Sequence, residues 1–206
     1  MLRTRLLPIG AALAAVLAPV VVAAAQSAAD LRVGLNHRLV EHAYLAGATT
    51  AAALGGRSDD AKAATAALDA NSLDLARAIG TVYGDETGKA FLDLWRQHIV
   101  FLIDYTRATA GENPRMRDDA VQNLLGYADD FAAFLASANP HLPEAAVAEL
   151  LRTHVRGLTT VVDAQADGNA GPAYTSLRAV GAHMQSIADP LAAAISKQFP
   201  GRFAAP

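Results

Sequence analysis

The feature that most constrains this chain is a residue pattern that recurs every 56 residues. At this interval His42 falls on His98 and then on His154. The apolar residues around each histidine match as well: Leu39 with Trp95 and Leu151, Ala43 with Ile99 and Val155, and Ala46 with Leu102 and Leu158. A second set of matches follows in each unit: Leu68 with Leu124 and Val180, Leu75 with Phe131 and Ile187, and Ile79 with Leu135 and Leu191. Self-similarity at a fixed period predicts one supersecondary unit that is repeated three times.

Within each unit the apolar residues recur at the three- and four-residue spacing of an α-helix. Breaks rich in glycine, proline and asparagine divide the chain into six stretches, with Pro143 and Pro172 expected at first helical positions. The predicted helices cover residues 30–54, 60–83, 88–110, 117–138, 143–166 and 172–198. This pattern predicts an all-α protein, a six-helix bundle made of three tandem antiparallel helix hairpins. Closure around a pseudo-threefold axis and an open stack of hairpins are both compatible with the repeat.

Residues 1–25 have the features of a signal peptide. Arg3 and Arg5 precede a long apolar stretch, and an Ala-Ala-Ala segment then offers the small residues that signal peptidase reads. The stretch from Leu6 to Ala25 is also long enough to remain as a membrane anchor, but its prolines and glycine favour cleavage. We therefore expect a secreted or periplasmic protein whose residues 26–206 form a single helical-bundle domain, without membrane insertion after cleavage.

Charge and composition narrow the possible partners. Cleavage removes two arginines, so 17 − 2 = 15 basic residues stand against 20 acidic ones, and the formal net charge changes from −3 to −5. This balance argues against nucleic acid as a partner, because no basic surface is left to neutralise phosphates. The chain has no cysteine, which excludes disulfides and thiolate metal ligands. The partners that remain are a metal ion or another protein of the cell envelope.

The repeat places polar residues at one level of the predicted bundle. His42, His98 and His154 lie within the apolar stripe of the first helix of each hairpin. The second helices carry polar residues at matching distances from the hairpin turns. These residues are Asn71, Tyr127 and His183, followed three positions later by Asp74, Asp130 and Ser186. The sequence therefore predicts a polar layer across the bundle.

Such a layer is compatible with a transition-metal site. Neutral imidazole is a ligand for zinc, copper, iron and nickel, and helix bundles build metal sites from facing helices. The candidate ligands are His42, His98, His154 and His183, with Asp74 and Asp130 either binding the ion or orienting the imidazoles. Copper and zinc are favoured, and Met184 adds a soft thioether beside His183. The expected roles are metal storage, delivery or sensing in the envelope.

A structural role is the alternative interpretation. Histidines on apolar helix faces commonly form hydrogen-bonded core networks that fix the register of neighbouring helices. Under that interpretation the protein is a non-catalytic structural or partner-binding helical domain. Catalysis is a less favoured third class, because the sequence contains no serine elbow, cysteine nucleophile or phosphate-binding loop.

Four segments resemble those of a group of uncharacterised exported bacterial helical proteins, some of which carry copper-amine-oxidase-type names. The segments are Glu41-His42-Ala43-Tyr44-Leu45-Ala46, Ile79-Gly80-Thr81-Val82-Tyr83-Gly84, Trp95-Arg96-Gln97-His98, and His183-Met184-Gln185-Ser186-Ile187-Ala188-Asp189-Pro190. The resemblance covers most of the chain after the signal peptide and implies export and a helical fold. It does not imply amine oxidation, because that enzyme family is large and β-rich, and its Asn-Tyr-Asp/Glu signature has no match here.

Overall fold

The computed structural model describes residues 27–203, which form six α-helices. The helices are α1 (Ala28–Leu54), α2 (Ser58–Tyr83), α3 (Asp85–Ala110), α4 (Pro114–Ala138), α5 (Glu144–Ala166) and α6 (Ala170–Gln198). This confirms the predicted all-α six-helix class. The predicted signal peptide, residues 1–25, lies outside the described residues. No helix within residues 27–203 has the length and apolarity needed to cross a membrane.

All six helices end at the residues that the sequence predicts, whereas most begin two or three residues earlier. Polar capping explains part of this difference. The Ser27 side chain accepts a hydrogen bond from the Asp30 backbone N–H, and the Asp30 carboxylate accepts one from the Ser27 N–H in return. At α4, Asn113 caps the helix and Pro114 occupies its first turn. Apolar periodicity misses the first turns because few of their residues face the core.

Each hairpin has one turn between its two helices, and the three turns have the same backbone conformation. Gly56, Glu112 and Gly168 occupy the left-handed region, with φ of 67°, 50° and 70°. In each turn the preceding residue donates its N–H to a carbonyl four positions back, at Ala51, Arg107 and Asp163. The backbone therefore follows the 56-residue spacing at these turns. Only glycine adopts this region without cost, so Glu112 is the strained member of the set.

The hairpins close into a ring. Each even-numbered helix packs in the groove between two odd-numbered helices, and α6 completes the ring by packing against both α5 and α1. Arg32 of α1 donates to Asp189 of α6 at 2.7 Å and 2.5 Å, which joins the first helix to the last. The odd-numbered helices also contact one another in the centre. Of the two arrangements compatible with the repeat, the structure has the closed one.

The central axis of the ring lies among the apolar residues that the repeat matches. Leu39, Trp95 and Leu151 are all buried, as are Ala46, Leu102 and Leu158. Because the odd-numbered helices run parallel, equivalent residues on α1, α3 and α5 meet at the same height on this axis. The histidines lie one turn from each of these two sets, so the fold brings them to the centre of the bundle.

Gly88 of α3 provides a test of the close contact between the first and second hairpins. A Cβ atom at this position would lie 2.8 Å from the Ala76 carbonyl oxygen and 2.9 Å from the Gly80 Cα, both in α2. We expect Gly88→Ala to lower the free energy of unfolding by about 1–3 kcal/mol, because backbone atoms cannot move aside as a side chain can. Chemical denaturation measures this change.

Gly126 of α4 is the matched control for that substitution, because a Cβ added there meets nothing within 4 Å. Gly126→Ala should raise the free energy of unfolding by about 0.5–1 kcal/mol through the higher helix propensity of alanine. Equal stabilisation by both substitutions would show that α2 and α3 are not in the close contact described.

Candidate metal centre

His42, His98 and His154 converge on the axis of the bundle. Their side chains are buried, with 1%, 4% and 6% of their surface exposed. The Nε2 atoms of His42 and His98 lie 3.2 Å apart, and one ligand nitrogen from each of the three rings lies within 4.8 Å of the other two. We refer to these three residues as the histidine cluster. They are the three members of the predicted set that the structure brings together.

Aromatic side chains hold the rings of the cluster in place. The Trp95 indole centroid lies 4.8 Å from that of His42 and 4.6 Å from that of His98. On its other side His98 packs against Tyr127, with the ring centroids 4.9 Å apart. Such packing excludes solvent and fixes the height at which the imidazole nitrogens meet.

Most of the nitrogens in the cluster have no hydrogen-bond partner among the protein groups. The Nδ1 atoms of His42 and His98 are unpartnered, and so are both nitrogens of His154. The single bond between His42 and His98 requires one ring to donate and the other to accept, so the two rings are opposite tautomers. One of them therefore buries an unpaired N–H. A buried polar group without a partner costs about 1–3 kcal/mol, and each of the three rings has at least one unpartnered nitrogen.

Burial keeps all three imidazoles neutral. Desolvation, together with repulsion from the neighbouring histidines, lowers the pKa of His98 and His154 to about 3. The backbone of Trp95, one turn earlier on α3, opposes this shift at His98. Desolvation also lowers the pKa of His42 well below its usual 6.5. The neutral form has a free lone pair on each ring, which is the form that binds metal ions.

His183 lies outside the cluster because it has a different contact. Its Nε2 lies 2.9 Å from the Leu150 carbonyl oxygen of α5, so this nitrogen donates the hydrogen bond. The equivalent residue of the first hairpin, Asn71, makes the same contact with the Arg38 carbonyl at 3.0 Å. In both pairs the residues are 33 positions apart, and the bond fixes the register of the two helices of the hairpin. His183 thus holds α5 against α6 in the structure.

Asp74 and Asp130 also lie away from the cluster. Both are exposed, and no hydrogen bond joins either carboxylate to a histidine. Asp74 instead pairs with Arg77 on its own helix at 2.8 Å. Successive helical residues are about 100° apart, so Asp74 points sideways from Leu75, which faces the core. Ser186, the third member of this set, is exposed for the same reason.

A cavity of about 40 Å³ adjoins the cluster on the side nearer the N-terminus of α1. His98, His154 and Tyr127 reach it, and so does the Met184 thioether. Much of the remaining wall consists of three complete sets of residues that the 56-residue repeat matches: Leu39, Trp95 and Leu151; Leu75, Phe131 and Ile187; and Ile79, Leu135 and Leu191. Since each set surrounds the axis, we call this space the axial cavity. Sequence periodicity identifies these residues as core but gives no sign that they leave a space.

The nitrogen positions fit a metal ion after a small movement. Imidazole nitrogens bind zinc or copper at about 2.0–2.1 Å, which places three of them about 3.3–3.6 Å apart. His42 and His98 are already close to this separation, at 3.2 Å. The other separations are no larger than 4.8 Å, so a shift on the order of 1 Å closes the set around an ion. The cluster can therefore supply three neutral nitrogen ligands.

Comparison of the chain with protein-family models, curated proteins and solved structures finds no match. The geometry of the cluster and its surroundings is therefore the basis for assigning a function.

The lowered pKa values predict how acid affects the metal-free protein. Between about pH 6.5 and pH 3 the unfolded chain binds protons at His98 and His154 that the folded protein excludes. The free energy of unfolding therefore has its full value above about pH 6.5. As the pH decreases below this, it falls by about 1.4 kcal/mol per pH unit for each proton that only the unfolded chain binds. We expect His154→Leu to make this dependence on pH shallower between pH 6 and pH 4.5, by the contribution of about one proton. Urea denaturation at several pH values measures the slope.

Leu158→Ala provides the control, because it removes buried apolar volume one turn from His154 but no titratable group. It should lower the free energy of unfolding by the same amount at each pH and leave the pH dependence of stability unchanged. If His154→Leu had the same slope as the wild-type protein, the imidazole of His154 would not be held neutral by burial.

Proposed function

We propose that this protein binds one transition-metal ion at His42, His98 and His154. The observation that carries the proposal is the convergence of three buried imidazoles whose nitrogens lack protein partners. Unpaired polar atoms are rare in protein interiors, and a group of them at one point indicates a ligand. Three histidine ligands with a further open position is also a recognised arrangement for bound zinc or copper.

The charge of the cluster favours monovalent copper over zinc. All three candidate ligands are neutral, and Asp74 and Asp130 lie at the surface, where they do not compensate a buried ion. A divalent ion would bring two uncompensated charges into the core, whereas Cu(I) brings one. The buried thioether of Met184, 1% exposed at the edge of the axial cavity, also suits a soft ion.

The biological role that we propose is metal storage, delivery or sensing outside the cytoplasm. The features that support export are the basic start, the apolar stretch and the small-residue segment of residues 1–25. A buried site with three protein ligands favours retention of the ion over rapid exchange, because the ligands must open before the ion leaves.

A structural role is the second candidate, and one observation favours it. His42 and His98 hydrogen-bond to each other and pack on Trp95, as residues that only stabilise a core would do. Against this role stand both nitrogens of His154, because a network that exists for stability would pair them. Metal content distinguishes the two candidates.

Metal retention is the first test. Tag-free protein that has been exposed to copper or zinc and then extensively dialysed should retain about one ion per chain, measured by elemental analysis, with copper bound more tightly. We expect His98→Leu to lower the affinity by at least about a hundredfold, because it removes a ligand rather than a supporting contact. Circular dichroism should show that the variant keeps its helical content.

Two substitutions serve as controls within the predicted polar layer. His183→Gln retains a donor for the Leu150 carbonyl, and Asp74→Asn changes only an exposed side chain. Both variants should retain metal as the wild-type protein does. Absence of retained metal in the wild-type protein would refute the proposal, and loss of metal in either control variant would place the site elsewhere.

A further inference from the structure

We infer that a metal ion in the histidine cluster keeps one coordination position open toward the axial cavity, and that this position accepts a neutral diatomic molecule. Carbon monoxide, nitric oxide and dioxygen belong to this class. The inference rests on the proposed metal site and adds to it a second ligand, which the cavity selects by size and polarity.

The two sides of the cluster along the axis differ in packing. On the side toward the hairpin turns, Ala46, Leu102 and Leu158 fill the axis and are 1%, 4% and 4% exposed. None of these residues borders the axial cavity, which lies on the opposite side against His98 and His154. An ion bound by three nitrogens therefore has packed side chains on one face and free space on the other. The fourth ligand can enter only from the cavity.

The volume of the cavity limits the ligand to a few atoms. A space of about 40 Å³ exceeds the roughly 10–15 Å³ that one water molecule requires. It is far smaller than the cavity of about 150 Å³ that admits benzene. A molecule of two or three atoms fits without rearrangement of the core.

The polarity of the wall favours a neutral ligand over an ion. Nearly all of the lining residues are aliphatic or aromatic, and no charged side chain reaches the cavity among the described residues. Bringing a free anion into such a space costs its hydration without compensation. The Tyr127 hydroxyl and the Trp95 Nε1 of the lining residues are buried without partners. Both are unpaired donors of side chains that line the cavity.

Carbon monoxide is the probe that tests this inference, because it binds Cu(I) without a redox step and has an infrared C–O stretching band. Copper-loaded protein is prepared in the Cu(I) state without oxygen and titrated with the gas. We expect one saturable C–O band. Leu75 of the first hairpin is equivalent to Phe131 of the second, and both line the cavity. In the Leu75→Phe variant the larger side chain fills the cavity. This variant should retain its copper and bind carbon monoxide at least tenfold more weakly.

Leu73→Phe is the matched control, because Leu73 lies on the same helix and borders an outer groove between α2 and α3. Its carbon monoxide affinity should equal that of the wild-type protein. If Leu75→Phe fails to fold, Ile187→Phe fills the same cavity from α6.

Copper content measured on the same samples separates the two hypotheses. Retained copper without a C–O band in the wild-type protein would overturn the inference and leave the metal site intact. Equal carbon monoxide affinity in the wild-type and cavity-filled proteins would also overturn it. Absence of retained copper would overturn the metal site and the inference together.

Discussion

The constraint that sets the centre of this bundle apart is the burial of three imidazoles at one point on its axis. Stabilising the core would be simpler with apolar residues, since His154 has no protein partner for either nitrogen. The closed ring holds the histidines there because α1, α3 and α5 run parallel and contact one another along a common axis. Burial keeps the rings neutral, and a neutral ring has a lone pair that is free to bind an ion. The burial that lowers the stability of the folded protein is therefore also what prepares the rings as ligands.

The outer helices determine the height at which the histidines meet. Asn71 and His183 each bond to a carbonyl of the preceding helix, at Arg38 and Leu150, and so fix the register of the first and third hairpins. In the second hairpin the equivalent residue is Tyr127, whose ring packs on His98 and whose side chain lines the axial cavity. One repeated position therefore stabilises two hairpins and shapes the site in the third. This difference makes the surroundings of the cluster asymmetric although the cluster itself follows the repeat.

Sequence periodicity was sufficient for the helices and for the central residues. It indicates six helices, whose C-terminal ends follow from the glycine, proline and asparagine breaks. It also matches in threes the residues that surround the axis, because the same face of each odd-numbered helix is buried. It could not separate inward from sideways positions on the second helices. Asp74 lies three residues after Asn71 and so within the same general face, but a rotation of about 100° from Leu75 takes it to the surface. Nor could it reveal the axial cavity, since a space depends on the shapes of packed side chains.

Diffraction at the absorption edge of the bound metal tests the central claim most directly. In crystals of copper-loaded protein, the account predicts one anomalous peak on the bundle axis, at about 2.0–2.1 Å from a nitrogen of His42, His98 and His154. A peak at the exposed His37, at His183 or beside the surface carboxylates would contradict the account. So would crystals of loaded protein in which the three imidazoles remain unliganded.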